Sequence, residues 1–458
     1  MSSISTNLIQ RLWDAIDDGI PFDGGPFRLD GPRITLPAAF DVTGLAVGAV
    51  GSAYLATARL LAARRGASTV PDVRIDSREA STAFRSESRF TPVGWERPPL
   101  WDPIAGNYQT ADGWIRLHTN YPYHRAAVES LLDATDRNTV QKRVATWTSV
   151  ELEQAVAEAG GAAAAMRTRE QWLAMEAGTA TIAKPVVATT WRKTATGATW
   201  ANNAQLPFEG VRVLDLTRVI AGPVCTKFLA DYGADILRID PPGFEEVASL
   251  LPETTAGKRS AALDLNSAEG RARFDALLAD ADVLVCGLRA DALDGLGYSD
   301  AQLRTLNPNL IITRFNAYGW DGPWRNRRGF DSLVQLSSGI AAHATDEGSA
   351  PASLPVQALD HATGWLLGAA IARALTRRLT DSQVATINAS LIGTANLLFS
   401  LPQPEDEPQP ESLDEIPMVE RSTAWGLARV VGPAGHIEGV SPAPKYKAGP
   451  LGRHEARW

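Results

Sequence analysis

Two hydrophobic periods alternate along much of the chain and predict a mixed α/β structure. From residue 208 onwards, short apolar runs predict strands at 210–217, 234–242, 282–288 and 310–319. Segments with helical spacing, about 10–15 residues long, lie between them. Strands that alternate with helices in this way indicate βαβ units. The predicted fold class is therefore α/β, with an open parallel sheet flanked by helices and a smaller α+β domain.

Changes in this pattern predict five segments. They are a helix–strand part at 1–95, a small α+β domain at 96–190, a polar linker at 191–207, the regular α/β domain at 208–400 and a C-terminal arm at 401–458. The arm begins with a stretch rich in proline and acidic residues, which predicts an exposed segment.

One short pattern occurs twice. A T-G-x-x-x-G motif starts at Thr43 and again at Thr363, each time in an apolar helical run. The first run, 41–65, predicts a helix with Asp41 as its N-cap, and its small residues predict close packing against a sheet. When the glycines are superposed, Asp360 lies opposite Phe40 and Asp41 lies opposite His361. The segment 1–95 is therefore interpreted as containing a degenerate repeat of 358–398.

Composition and charge exclude several classes of function. The net charge of −8 argues against non-specific binding to nucleic acids or anionic membranes. Two cysteines in 458 residues favour a reducing cytoplasm over a disulfide framework. The acidic, amphipathic N-terminus does not resemble a signal peptide, and no charge-free apolar run is long enough to predict a membrane-spanning helix.

The sequence also lacks the motifs of several other classes of enzyme and binding site. The chain lacks Gly-x-Gly-x-x-Gly after its first α/β strand, a Walker A motif and a G-x-S-x-G elbow, and its histidines do not have metal-ligand spacing. Two basic loops, GKRS (257–260) and WRNRRG (324–329), are either solvated surface or a site for a phosphorylated ligand beside strand ends. Asp360, at the start of an apolar helix, is either its N-cap or a reactive carboxylate.

Several longer stretches resemble family III CoA-transferases, the group that includes carnitine and formyl-CoA transferases and α-methylacyl-CoA racemases. The stretches are VRVLDLTRVIAGPVCTKFLADYGADILRIDPPG (211–243), GKRSAALDLNSAEGRARFDALLADADVLV (257–285), RRGFDSLVQLSSG (327–339) and ALDHATGWLLGAAIARAL (358–375). The resemblance covers about 210–398 and implies a Rossmann-like CoA-binding domain. Residues 41–187 resemble a later part of the same family, which implies a permuted or fused arrangement of two copies.

The resemblance also implies a reaction. Asp360 occupies the position of the aspartate that attacks an acyl-CoA and carries CoA to a carboxylic acid through an aspartyl anhydride and thioester. The substrates would be an acyl-CoA and a carboxylic acid, with no permanently bound cofactor and no metal, and the family expectation is an interlocked homodimer. By position, the CoA contacts would be Ile220, Ala221, Leu263, Asp264, Leu265, Asn266, Gly287, Leu288, Arg328, Gly329, Phe330 and Asp331, with Arg328 as a phosphate partner.

The chain departs from the family pattern at several of these positions. Cys286-Gly287-Leu288 stands where Glu-Asn-Phe is common, Gly295 stands where an arginine is common, and a basic residue that is common near Pro242 is missing. The racemase branch uses a histidine at the position of Phe330, and without it a two-base proton transfer lacks one member, so a racemase or isomerase is only the alternative enzyme. A CoA-binding protein that has lost catalysis is the third interpretation.

Overall fold

The computed structural model describes residues 3–194, 200, 203–343, 345–346 and 348–458. Within this part of the chain the helices are α1 (Ser3–Asp14), α2 (Val42–Arg65), α3 (Ser77–Ala83), α4 (Ser86–Arg89), α5 (Pro122–Leu132), α6 (Arg137–Val144), α7 (Ser149–Glu158), α8 (Arg169–Ala174), α9 (Glu176–Ile182), α10 (Ala221–Asp231), α11 (Leu251–Thr254), α12 (Ala268–Ala279), α13 (Ala292–Gly295), α14 (Asp300–Leu306), α15 (Asp331–Ser337), α16 (Ala358–Thr380) and α17 (Leu391–Ser400). A 3₁₀ helix spans Pro410–Glu415.

The strands complete the secondary structure. They are β1 (Ile16–Asp17), β2 (Phe27–Asp30), β3 (Val73–Asp76), β4 (Thr91–Val93), β5 (Gly106–Gln109), β6 (Trp114–Leu117), β7 (Ala163–Ala165), β8 (Val187–Lys193), β9 (Arg212–Leu216), β10 (Asp235–Asp240), β11 (Arg259–Ala262), β12 (Val283–Cys286), β13 (Ile311–Asn316), β14 (Gln383–Ser390), β15 (Val419–Thr423), β16 (Gly426–Val430) and β17 (His436–Ile437).

The largest sheet has the strand order β1-β8-β14-β13-β12-β9-β10-β11. The strands from β9 to β14 are mutually parallel, and Leu214 of β9 pairs with Leu284 of β12. The sheet is not wholly parallel as expected, because β8 runs antiparallel to β14. The chain is therefore an α/β protein with a large, mainly parallel sheet flanked by helices.

Apolar residues cover both faces of this sheet. Side chains alternate along each strand, so Val213 and Val283 join the larger hydrophobic core while Leu214 and Leu284 join a second core on the opposite face. Burial on both faces explains why these strands are nearly continuous apolar runs in the sequence.

Helix α2 packs against other helices rather than mainly against a sheet as expected. It packs mainly along α16, the other long helix. Between the two helices, the ring centroids of Tyr54 and Trp365 lie 6.0 Å apart. Gly48 leaves room for α1, because a Cβ atom there would lie 2.5 Å from the side chain of Leu12. By length and composition α2 could cross a membrane, but 94% of its most apolar window is buried inside the protein. Its apolar composition therefore fits a core helix.

A second, smaller sheet of β5, β6 and β7 carries α5, α6 and α7 and has its own hydrophobic core. The predicted linker at 191–207 begins inside β8, so its first residues belong to the large sheet. Residues 195–199 and 201–202 of that linker lie outside the described residues. In the predicted C-terminal arm, β15 and β16 form a sheet with β4.

The order helix–strand–helix occurs twice, as α2-β3-α3 and as α16-β14-α17. The two copies differ in where their strand goes. β14 lies within the large sheet, whereas β3 pairs with β2 and β17 in a separate sheet. The two long helices nevertheless share one hydrophobic core.

Candidate active site

A cavity of about 410 Å³ lies where the parallel strands of the large sheet end. Its wall includes residues that follow β9, β10, β12 and β14, and Asp360 from the first turn of α16. Strand order reverses beside β9, because β10 lies on one side of it and β12 on the other. Ligands of open α/β sheets bind at such a switch point, and the volume is within the usual range for ligand sites.

Asp360 enters this cavity because another residue caps its helix. Gln357 occupies the N-cap position of α16 without a capping side-chain bond. Instead, the N–H groups of Leu359 and Asp360 donate to one carboxylate oxygen of Asp331, at 2.8 and 2.9 Å. The N-cap interpretation of Asp360 is therefore wrong, and its own carboxylate is left to line the cavity.

The charges around Asp360 oppose its ionisation. Burial raises the pKa of the Asp360 carboxyl well above its usual range, and the carboxylates of Asp331 and Glu87 raise it further. Burial also raises the pKa of Asp331, although its bonds from backbone N–H groups and from the Gln335 amide favour the charged form. Of the two aspartates, Asp331 has hydrogen bonds that lower its pKa, whereas each of the influences on Asp360 raises the pKa of that carboxyl.

His361 turns away from the cavity. Its Nε2 atom lies 2.9 Å from a carboxylate oxygen of Glu87, and its ring stacks on Phe84 at a centroid distance of 5.1 Å. Both of these partners come from the N-terminal segment 1–95, just after α3. The residue next to Asp360 is thus in contact with that segment.

The loop after β9 is strained where it borders the cavity. Val219 has a φ angle of 63°, which is costly for a β-branched residue. Its N–H donates to Glu246 at 3.3 Å, and the same carboxylate receives Arg238 and, at 2.6 Å, the hydroxyl of Tyr121. This buried network holds the loop in its conformation.

Four arginines line the same cavity: Arg218, Arg289, Arg327 and Arg328. Arg218 lies over the ring of Phe244 at 3.7 Å. Arg218 pairs with Asp240 at 3.8 Å and Arg327 pairs with Glu153 at 3.7 Å, whereas neither Arg289 nor Arg328 forms an ion pair within the part of the chain that the structure describes. Unpaired guanidinium groups beside a carboxylate-bearing cavity can bind the phosphates of a ligand such as CoA.

The two basic loops have different environments. Lys258 of GKRS is buried, and it donates to Asp215 at 3.2 Å and to Thr226 at 2.6 Å. These contacts give this lysine a structural role, and it does not face a ligand. In WRNRRG, Arg327 and Arg328 both line the cavity. Only the second loop reaches the site.

The structure brings together about half of the residues that the sequence assigned to the site. The predicted residues in the cavity wall are Ala221, Gly287, Leu288, Arg328, Gly329, Phe330 and Asp360. Ile220 is buried beside them in an apolar cluster, and Asp331 is buried against the start of α16. Leu263 and Asp264 line a different cavity, next to α12, and Asn266 is exposed. The expected contact segment 263–266 therefore does not meet Asp360 in this structure.

Sequence reasoning missed one whole wall of the cavity. Tyr121, Tyr123 and His124 come from the small domain, at the start of α5. The ring of His124 lies 4.4 Å from that of Tyr123 and 5.7 Å from that of Phe330. Burial lowers the pKa of His124 to about 3, so the imidazole is neutral. No motif marks this wall, whereas Arg218 and Arg289 could have been found from their positions just after strand ends.

The carboxylate of the other repeat has a structural role. Asp41 accepts the N–H of Gly44 at 2.7 Å and caps α2, as predicted. It also forms a two-point ion pair with Arg33, in which one bond is 2.9 Å long. Both of its oxygens are therefore occupied. No cluster of three or more potential metal ligands occurs among the described residues.

Comparison with known proteins agrees with this geometry. Residues 208–406 match the family described as CoA-transferase family III. Residues 208–406 thus form a CoA-transferase family III domain within the chain. The matched range contains Asp360, Asp331, the strained loop and the four cavity arginines, so the site lies mostly within the family III domain.

Individual relatives match part of the chain. It is 31% identical over 235 residues to the probable fatty acyl-CoA transferase Rv3272 of Mycobacterium tuberculosis, covering 46% of this chain and 60% of that protein. It is 31% identical over 216 residues to the succinate–glutarate CoA-transferase of Agrobacterium fabrum, covering 43% and 54%. A crystal structure of Rv3272 matches 42% of this chain and 57% of its own chain, at 29% identity and a TM-score of 0.39. The chain thus spans 60% or less of the length of these relatives.

Proposed function

We propose that this protein transfers CoA from an acyl-CoA thioester to a carboxylic acid and that Asp360 carries the reaction. The observation that supports this most strongly is the division of labour between two aspartates. Asp331 caps α16 from outside the helix, which frees the Asp360 carboxylate to face a cavity inside the family III domain. A carboxylate that only capped its helix would not need a second aspartate to do so.

The proposed reaction has four successive nucleophilic attacks. The ionised Asp360 carboxylate attacks the thioester carbonyl carbon, the C–S bond breaks, and a mixed acyl–aspartyl anhydride and CoA thiolate form. The thiolate attacks the aspartyl carbonyl carbon, which releases the donor acid and leaves an aspartyl-CoA thioester. The acceptor carboxylate attacks that thioester and expels the thiolate, which then attacks the acceptor carbonyl to give the new acyl-CoA and free Asp360. Enclosure of the cavity limits hydrolysis of both intermediates.

The remaining expectations belong to the same proposal. Arg289 and Arg328 would bind CoA phosphates at the cavity, and CoA would be a substrate rather than a permanently bound cofactor. A cytoplasmic location fits the two free, buried cysteines. The proposed assembly is a homodimer, and neither nucleic acid nor membrane is expected as a partner.

The test is covalent trapping. The protein is incubated with a set of acyl-CoAs, treated with hydroxylamine or borohydride, and the modified residue is mapped by mass spectrometry. We expect modification of Asp360 and none in Asp360→Asn. Asp41→Asn is the matched control, because Asp41 starts the equivalent helix but does not line the cavity. An adduct that persists in Asp360→Asn would refute the proposed nucleophile.

A racemase or isomerase is the second candidate because imidazole rings surround Phe330. The ring of His118 stacks on Phe330 at 3.6 Å, and the neutral His124 lines the cavity. Such a ring could remove a proton from the carbon next to a thioester. Deuterium uptake at that carbon without an acceptor acid would favour this reading, and binding of CoA with neither uptake nor adduct would favour a protein that has lost catalysis.

A further inference from the structure

The N-terminal segment 1–95 has Phe40 opposite Asp360, but a carboxylate further along this segment lies beside the start of α16. Glu87, on α4, follows the helix–strand–helix repeat in the chain. Its carboxylate lies 2.9 Å from Nε2 of His361, and the two side chains are 12% and 1% exposed. This contact joins residues 274 positions apart, directly beside the nucleophile proposed above.

Neighbouring residues hold the contact between Glu87 and His361 in place. Phe84, which lies between α3 and α4, stacks on the imidazole of His361. Arg97 donates to the backbone carbonyl of Glu87 at 2.7 Å and so fixes α4 from its other side. The imidazole therefore has little freedom to rotate, and neither does the helical turn that carries it.

Two carboxylates thus hold the first turn of α16 from different directions. Asp331 binds the N–H groups of Leu359 and Asp360, while Glu87 binds the side chain of His361. The middle one of these three consecutive residues is the proposed nucleophile, Asp360. Reacting groups must be placed to within a fraction of an ångström, so such supports can control the rate.

We propose that Glu87 is a positioning residue for the CoA-transferase reaction: through His361 it fixes the first turn of α16 and so the direction of the Asp360 carboxylate. This rests on the function proposed above. It also gives the N-terminal segment 1–95 a role in catalysis, because that segment supplies a support for the nucleophile of the family III domain.

The charge of Glu87 has a separate consequence. Glu87 and Asp331 both raise the pKa of Asp360, while His361 lowers that of Asp331. Arg97 is the cation that faces Glu87. Removal of the Glu87 charge should therefore lower the pH at which Asp360 becomes ionised and reactive.

Two variants separate these effects. Glu87→Ala removes both the support and the charge, whereas Glu87→Gln keeps an oxygen that can accept from His361 but removes the charge. The readout is the single-turnover rate of Asp360 labelling by acyl-CoA as a function of pH, with the Kd for CoA measured in parallel. Glu79→Ala is the matched control, because Glu79 makes the same kind of contact with His436, at 3.0 Å, away from the cavity.

We expect Glu87→Ala to slow labelling about tenfold or more, with the Kd for CoA unchanged. Glu87→Gln should recover much of the rate, and both variants should shift the pH midpoint of labelling downward. Glu79→Ala should change neither rate nor midpoint.

Labelling by Glu87→Ala at the rate and pH midpoint of Glu79→Ala would overturn the inference while leaving the proposed function intact. If Glu87→Ala does not fold, labelling at the wild-type rate by His361→Phe, which removes the contact with Glu87 but keeps a ring against Phe84, overturns the inference. Failure of the wild-type protein to be labelled at all would instead refute the proposed function, and the inference with it.

Discussion

At the scale of single residues, Asp331 caps helix α16 and Asp360 is the proposed nucleophile. A local reading of the sequence favours Asp360 as an N-cap, because an acidic residue before an apolar helix usually has that role. The side chain that satisfies this helix start comes from Asp331, 29 positions earlier. No local pattern contains that information, since it depends on where α15 and α16 meet in space.

The raised pKa of Asp360 gives a prediction about stability. A carboxyl whose pKa is higher in the folded than in the unfolded protein binds its proton more tightly when folded. Its ionisation therefore destabilises the fold as pH rises above the unfolded value of about 4. We expect Asp360→Asn to be inactive but more stable near pH 7, by about 0.5–2 kcal/mol.

Thermal unfolding of both proteins between pH 4 and pH 8 measures this difference. It should be small at pH 4 and should grow toward neutral pH. Asp41→Asn should go the other way and destabilise the protein, because it weakens the ion pair with Arg33. A stability difference for Asp360→Asn that does not change with pH would show that its charge carries no such cost.

His124 gives a second prediction at this scale. Both of its ring nitrogens are buried without a hydrogen-bond partner in the described structure, within a cluster of aromatic rings. Buried polar atoms without partners cost roughly 1–3 kcal/mol. His124→Phe should therefore raise the free energy of unfolding by about 1 kcal/mol, measured by denaturant titration. His361→Phe is the contrasting variant and should destabilise, because that imidazole loses its contact with Glu87.

At the scale of elements, periodicity predicted the strands of the large sheet well. The expected strands at 210–217, 234–242 and 282–288 contain β9, β10 and β12, because strands buried on both faces are continuous apolar runs. The hydrophobic periodicity did not predict β8. Its sequence is polar and half exposed, and it joins the sheet antiparallel at the side of β14, a pairing that depends on tertiary position.

The glycines of the repeated motif were predicted from sequence, but their partners were not. A Cβ atom at Gly364 would collide with the backbone oxygen of Ala221, a residue of the cavity wall. At Gly368 the nearest atom would be 3.1 Å away, on the ring of Phe228. The first glycine therefore lets α16 approach the start of α10 closely, and the second is less crowded.

We expect Gly364→Ala to destabilise the protein by about 1–3 kcal/mol and to lower the rate of Asp360 labelling. The gain in helix propensity, about 1 kcal/mol, opposes this but is smaller than the cost of moving backbone. Gly368→Ala should change both quantities less. Denaturant unfolding and labelling rates measured on the two variants would contradict this account if they ranked the other way.

At the scale of the whole molecule, both halves of the chain build one site. The N-terminal half supplies Tyr121, Tyr123 and His124 to the cavity and Glu87 to the support of α16, and the family III domain supplies Asp360. The sequence indicated two related copies, but not that their side chains would meet. The described walls of the cavity come from a single chain, whereas the family resemblance predicts an interlocked homodimer.

Complementation between inactive chains tests this arrangement. One chain carries Asp360→Asn, and the other replaces Tyr121, Tyr123 and His124 with alanine, so that each damages a different half. If a site combined halves of two chains, co-expression of the two would restore some intact sites and some labelling of Asp360 in the second chain. Because each cavity is built within one chain, we expect no restoration, whatever the oligomeric state. Co-expression of either variant with the wild-type chain, under distinct tags, shows whether mixed oligomers form. Labelling of the alanine variant that appears only in mixed oligomers would show that the partner supplies the missing wall, and the site would then have to be described as shared.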